Sequence, residues 1–176
     1  MIHFLNLKKI NQPFEVAFQN KMKQFLEEGW YILGNEVKQF ETNFAHYCGT
    51  KHCIGVGNGL DALVLILKAN IQLGNLQKGD EVLVPANTFI ATATAVSRVG
   101  ATPIPVDVNE SDFLIDVSKI EACVSPRTKA IIPVHLFGQM ADMDAILNIA
   151  SRLNISMIED AAQSHGWAAS VAPLAA

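Results

Sequence analysis

Short apolar runs alternate with amphipathic stretches along most of this chain. Val37, Phe40, Phe44 and Tyr47 recur at helical spacing, which predicts an amphipathic helix over residues 36–47. Residues 52–57 read as a short strand, broken by Asn58 and Gly59, and residues 60–69 as an apolar helix. The alternation then repeats. Strands are predicted at 81–84, 102–106, 129–134 and 155–158, and helices at 88–99, 118–123 and 143–153. Short buried strands separated by helices imply an α/β fold with a parallel sheet covered on both faces. Residues 167–176 carry no charge and no clear period, and read as an atypical tail.

Composition narrows the function classes. Half of the 176 residues are hydrophobic and 17% are charged, enough apolar material for a substantial core. A net charge of -4 without a basic run speaks against nucleic acid as a partner. The longest apolar run, residues 62–67, is too short to span a bilayer, and the N-terminus lacks the order of a signal peptide. A cytoplasmic location and no membrane partner are therefore expected. Cys48, Cys53 and Cys123 fit neither a disulfide framework nor a zinc spacing, and are expected to be buried reduced thiols; no metal site is expected.

Three predicted strand ends carry candidate chemistry, where ligands of open α/β sheets sit. At Gly57-Asn58-Gly59-Leu60, glycines open a helix, so backbone N–H groups can approach a phosphate. The spacing matches neither the dinucleotide fingerprint nor a Walker loop, and a tight turn without ligand fits it equally well. Phe89 follows the second strand end and could stack on a planar ring, although core packing is the commoner fate of such a residue. Asp160 ends the last strand, followed by Gln163 and His165. A carboxylate there can pair with a protonated pyridine nitrogen, as pyridoxal phosphate (PLP) chemistry requires. Gln163 could donate to the ring's phenolic oxygen, and His165 could bind substrate or shuttle a proton. Helix capping by Asp160 and Gln163 is the competing explanation. His46, His52 and His135 have no evident partners.

Together these segments resemble the DegT/DnrJ/EryC1/StrS family of PLP-dependent sugar aminotransferases. The matching motifs include Gly29-Trp30-Tyr31-Ile32-Leu33-Gly34, residues 53–63, Pro85-Ala86-Asn87-Thr88-Phe89, residues 133–139 and residues 158–166. The first of these, with Asn58-Gly59-Leu60-Asp61-Ala62-Leu63, is similar to the branch acting on nucleotide-linked 3-keto-6-deoxyhexoses. The resemblance implies an incomplete three-layer large domain of the aspartate aminotransferase fold (fold type I of PLP enzymes). Residues 1–166 would be its N-terminal part, and the small C-terminal domain would be absent. It implies PLP contacts from Gly59, Leu60, Phe89, Asp160 and Gln163, with His165 near the substrate. Implied partners are glutamate, a nucleotide-linked keto-deoxysugar and a second subunit in a homodimer.

The resemblance also implies that the family's Schiff-base lysine lies beyond residue 166, and no lysine follows Lys129 here. That residue holds PLP and moves a proton, so no catalytic residue is assigned and this polypeptide alone is expected to lack transaminase activity. An open sheet edge and uncovered apolar surface are expected as well. The alternative is a noncatalytic module that binds the ligand or pairs with a full-length relative.

Overall fold

The computed structural model describes residues 4–165; Gly166 and the tail at 167–176 lie outside them. The chain begins with α1 (Leu7–Asn11), a 3-10 turn (Gln12–Phe14), α2 (Glu15–Glu28) and α3 (Asn35–Cys48). There follow α4 (Gly59–Gln72), β1 (Glu81–Pro85), α5 (Ala91–Arg98), β2 (Thr102–Val106) and α6 (Val117–Ile120). β3 (Thr128–Ile131), α7 (Met143–Leu153) and β4 (Ser156–Met157) complete the described part.

The four strands form one parallel sheet in the order β2-β1-β3-β4. Alternate residues face opposite sides, which builds two cores. Val82, Val84, Ala130 and Ile132 pack with Leu63 and Leu67 of α4 and with Ala95 and Val96 of α5. Leu83 and Ile131 point the other way, onto Ile120 of α6 and Met143, Ile146 and Ile149 of α7. This is the expected three-layer α/β arrangement. β1 is buried along its whole length, which is why it reads as a continuous apolar run.

β2 tolerates its two prolines because it is an edge strand. Thr102 donates its N–H to the carbonyl of Asp80 on the β1 side. Alternate positions therefore face β1, and the nitrogens of Pro103 and Pro105 face outward, where no ladder bond is lost. α7 matches its predicted bounds because both ends are signalled. The Asp142 carboxylate accepts from the Ala145 N–H, and Asn154 closes the helix in the left-handed conformation.

Two expectations are corrected. Residues 52–57 are not a strand but an irregular segment, with Ile54 79% exposed. A strand needs a hydrogen-bonding neighbour, and no described strand lies beside this segment. The cysteines are not buried: Cys48 is exposed, and Cys53 and Cys123 are partly so. α2, for which no element was predicted, is a full helix with no buried residue. Phe18, Met22 and Leu26 line an open groove of about 650 Å³ along it. They recur every four residues, as the apolar stripe of a helix does, yet nothing among the described residues covers them. β4 forms the other sheet edge.

Glu81 opens β1 at the end of the sheet away from the candidate site, buried although ionisable. The Ser125 hydroxyl, joined by the Arg127 guanidinium and the Thr128 hydroxyl, holds its carboxyl below the usual carboxylate range. A depressed folded-state pKa contributes stability that is full above the unfolded value, 4.5, and is lost as pH falls through the folded one. Glu81→Gln is therefore expected to lower the melting temperature at neutral pH. The gap from wild type should close as pH falls from about 5 to about 3, as read by circular dichroism. A gap that stays constant over that range would refute the assignment.

Candidate functional site

The chain runs from β1 outward to β2, then crosses back to β3 on the other side of β1. That reversal leaves a crevice beyond the C-terminal ends of β1 and β3, where ligands of such sheets bind. A cavity of about 360 Å³ lies there. Its walls come from the start of α4, the segment after β1, the start of α5 and the turns after β3 and β4. Gly59, Leu60, Phe89, Asp160 and Gln163 all line it. Five residues chosen from three separate motifs thus meet in one space.

The start of α4 presents free backbone donors. Asn58 adopts an extended backbone, and its side-chain oxygen accepts from the Asp61 N–H at 2.9 Å. That caps one first-turn donor and leaves the N–H groups of Gly59 and Leu60 without an acceptor among the described residues. A Cβ placed on Gly59 would meet nothing within 4 Å, so the space over this turn is open. Because residues 52–57 are not paired in the sheet, the turn joins an irregular segment, not a strand, to the helix.

Phe89 is 75% exposed, so it is not a core residue, and its ring is available to a planar ligand. Asp160 is not a helix cap, because no helix begins after it among the described residues. One carboxylate oxygen accepts from the buried Thr92 hydroxyl at 2.9 Å, and the other from the Ala162 N–H at 3.3 Å. The Thr88 hydroxyl stands 3.5 Å from that of Thr92. Gln163 accepts the Phe137 N–H on Oε1 at 2.7 Å. A backbone N–H can only donate, so the side-chain nitrogen of Gln163 is left as its free donor end. Phe137 sits in the left-handed region at φ 57°, a strained conformation for a side chain of its size.

His165 does not line the cavity. Its ring meets Phe44 of α3 edge-on, with centroids 5.7 Å apart. His135 does have partners, contrary to the sequence-based expectation: Ala141 N–H donates to Nδ1, and Nε2 lies 3.2 Å from a Glu159 carboxylate oxygen. Thr92, His135, Glu159 and Phe137 were not singled out as site residues. Their contacts join positions far apart in the chain. The one available signal was a hydroxyl on the inward face of α5.

The sequence model of the DegT/DnrJ/EryC1/StrS aminotransferase family matches residues 14–171. The chain belongs to the DegT/DnrJ/EryC1/StrS aminotransferase family. One curated member of the family, the dTDP-3-amino-3,6-dideoxy-alpha-D-galactopyranose transaminase of Aneurinibacillus thermoaerophilus, is 51% identical over 166 residues. The match covers 94% of this chain and 45% of that relative. The crystal structure of DesV from Streptomyces venezuelae superposes with a TM-score of 0.87 at 44% identity, covering 94% of this chain and 43% of that one. NtdA from Bacillus subtilis, solved with its bound cofactor PMP, gives a TM-score of 0.85 at 38% identity, covering 94% and 37%. The chain thus spans less than half the length of these DegT-family relatives. PLP or its amino form PMP is the cofactor in solved structures of the family. The cavity fits such a group in three respects: free backbone donors, an uncovered aromatic face, and a carboxylate fixed by two donors.

Proposed function

We propose that this chain supplies the ring and phosphate walls of a PLP site in a nucleotide-sugar aminotransferase. The observation that carries the reading is the convergence of Gly59, Leu60, Phe89, Asp160 and Gln163 on one cavity. When bound, the cofactor supplies an electron sink for amino-group transfer. The Gly59 and Leu60 N–H groups receive the phosphate at the positive end of α4. Phe89 stacks on the ring, and Asp160 keeps its nitrogen protonated. Gln163 donates to the phenolic oxygen through the nitrogen that Phe137 leaves free. His165 lies outside the cavity lining and is assigned to substrate on the family resemblance alone.

For the whole enzyme we propose glutamate as amino donor, a nucleotide-linked keto-deoxysugar as acceptor, and a cytoplasmic homodimer. Residues 1–166 form the N-terminal part of its large domain. No helix among the described residues is long and apolar enough to cross a membrane. Among the described residues, no lysine lines the cavity. We propose on that ground that the 176-residue polypeptide by itself does not carry out transamination. The same observation favours a second reading, a noncatalytic module that holds ligand or pairs with a longer relative.

Titration of the 176-residue chain with PLP, followed by borohydride reduction and peptide mass mapping, tests the proposal. The expected result is reversible uptake, no stoichiometric label on any lysine, and no transamination with glutamate. One labelled lysine per chain would overturn the assignment of inactivity. No uptake at all would overturn the cofactor site.

A further inference from the structure

We infer that His135, acting through Glu159, is a positioning residue that holds the two sides of the cofactor wall in register. The inference rests on the reading of the cavity as a PLP site. His135 follows β3 and is 1% exposed. Its Nδ1 accepts from the Ala141 N–H at 3.2 Å. A backbone N–H cannot accept, so the ring proton sits on Nε2, which donates to the Glu159 carboxylate at 3.2 Å. Its own backbone N–H donates to the Asp160 carbonyl at 3.1 Å.

One neutral imidazole therefore ties together three points: the end of β3, the return of the loop at Ala141, and the residue next to Asp160. Between the first two runs the loop that carries Leu136 into the cavity lining and Phe137 onto Gln163. On the other side of the clamp stand Asp160 and Gln163 themselves. An apolar residue could fill the volume of His135, but it would strand the buried Ala141 N–H and release Glu159. A recognition group that drifts by about 1 Å loses much of its effect, so such a clamp is expected to show in ligand binding.

The test uses the full chain and three variants, His135→Phe, Glu159→Ala and Glu159→Gln, with two readouts. Amide hydrogen exchange is followed at Phe137 and Asp160 and, as a core reference, at Ile132. PLP affinity is measured by equilibrium dialysis. For His135→Phe and Glu159→Ala, exchange at Phe137 and Asp160 should quicken about tenfold while Ile132 is unchanged, and PLP binding should weaken about tenfold. Glu159→Gln keeps an oxygen to accept from Nε2 and should stay within about threefold of wild type on both readouts. Glu159 is half-exposed, so Glu159→Ala decides the matter if His135→Phe fails to fold. Unchanged exchange and affinity in Glu159→Ala overturns the inference, as does equal acceleration at Ile132, which marks a general loss of stability. A wild-type chain that takes up no PLP overturns the reading of the cavity; selective opening of Phe137 and Asp160 in the variants then still supports the clamp.

Discussion

Asp160→Ala is expected to weaken PLP binding by at least about 30-fold, the largest effect of any single change at the site. Removing one partner of a desolvated, hydrogen-bonded charge pair costs about 2–5 kcal/mol, and each 1.4 kcal/mol is about tenfold in affinity. The Asp160 carboxylate is placed for such a pair. Thr92 and the Ala162 N–H hold its two oxygens, at 2.9 and 3.3 Å, so little ordering is left for ligand binding to complete. Asp160→Asn keeps one oxygen for the Thr92 hydroxyl but loses the charge and the acceptor that faces the Ala162 N–H, so its defect should be smaller than that of Asp160→Ala. Thr92→Val leaves the charge and removes one neutral donor, and should cost about tenfold or less. The expected order of affinities, by dialysis or cofactor absorbance, is wild type, Thr92→Val, Asp160→Asn, Asp160→Ala. Asp160→Ala binding within about threefold of wild type would remove the carboxylate from the cofactor site. Melting temperature supplies the control, because Asp160 forms an isolated bridge with Val134 and its side chain lies outside both core clusters.

What was legible in the sequence follows from how local each signal is. β1, β2 and α7 could be read because burial on two faces, edge prolines and helix caps each leave a mark within a few residues. Residues 52–57 carry the same mark as β1, a short apolar run ended by a turn. Yet the outcome differs, because strand formation is decided by a neighbour and not by the run itself. The cavity wall divides in the same way. Glycines at a helix start, an aromatic after a strand and a carboxylate at a strand end are local features, and they identified five lining residues. Thr92 reaches Asp160 across 68 positions, and His135 reaches Glu159 across 24. A threonine in an Ala/Thr-rich helix and a lone histidine say nothing of such partners until the sheet brings them together. Those five lining residues were therefore visible, and the residues that hold them in place were not.

Leu67→Ala is expected to destabilise the chain by about 2–5 kcal/mol, the usual cost of emptying a fully buried leucine site. Leu67 is 0% exposed and sits in the cluster that joins α4 to Val82, Val84 and Ile132 of the sheet and to Ala95 and Val96 of α5. A domain of this size has about 5–15 kcal/mol of stability in total, so the loss is a large share of it. The effect should also reach the site. α4 carries the Gly59 and Leu60 donors at its first turn, and α5 carries Thr92, the residue that fixes Asp160. Loosening the α4–α5 contact therefore separates the Gly59–Leu60 end of the cavity from the Asp160 end, and PLP affinity should fall together with stability. Leu65, on the same helix, is 51% exposed, and Leu65→Ala should change stability by no more than about 0.5 kcal/mol. Urea denaturation of the two variants separates burial from helix propensity, since both replace leucine with alanine in one helix. Equal shifts would mean that α4 does not pack on the sheet through Leu67. A Leu67→Ala variant that keeps wild-type PLP affinity in the folded range would uncouple the α4 donors from the rest of the cavity.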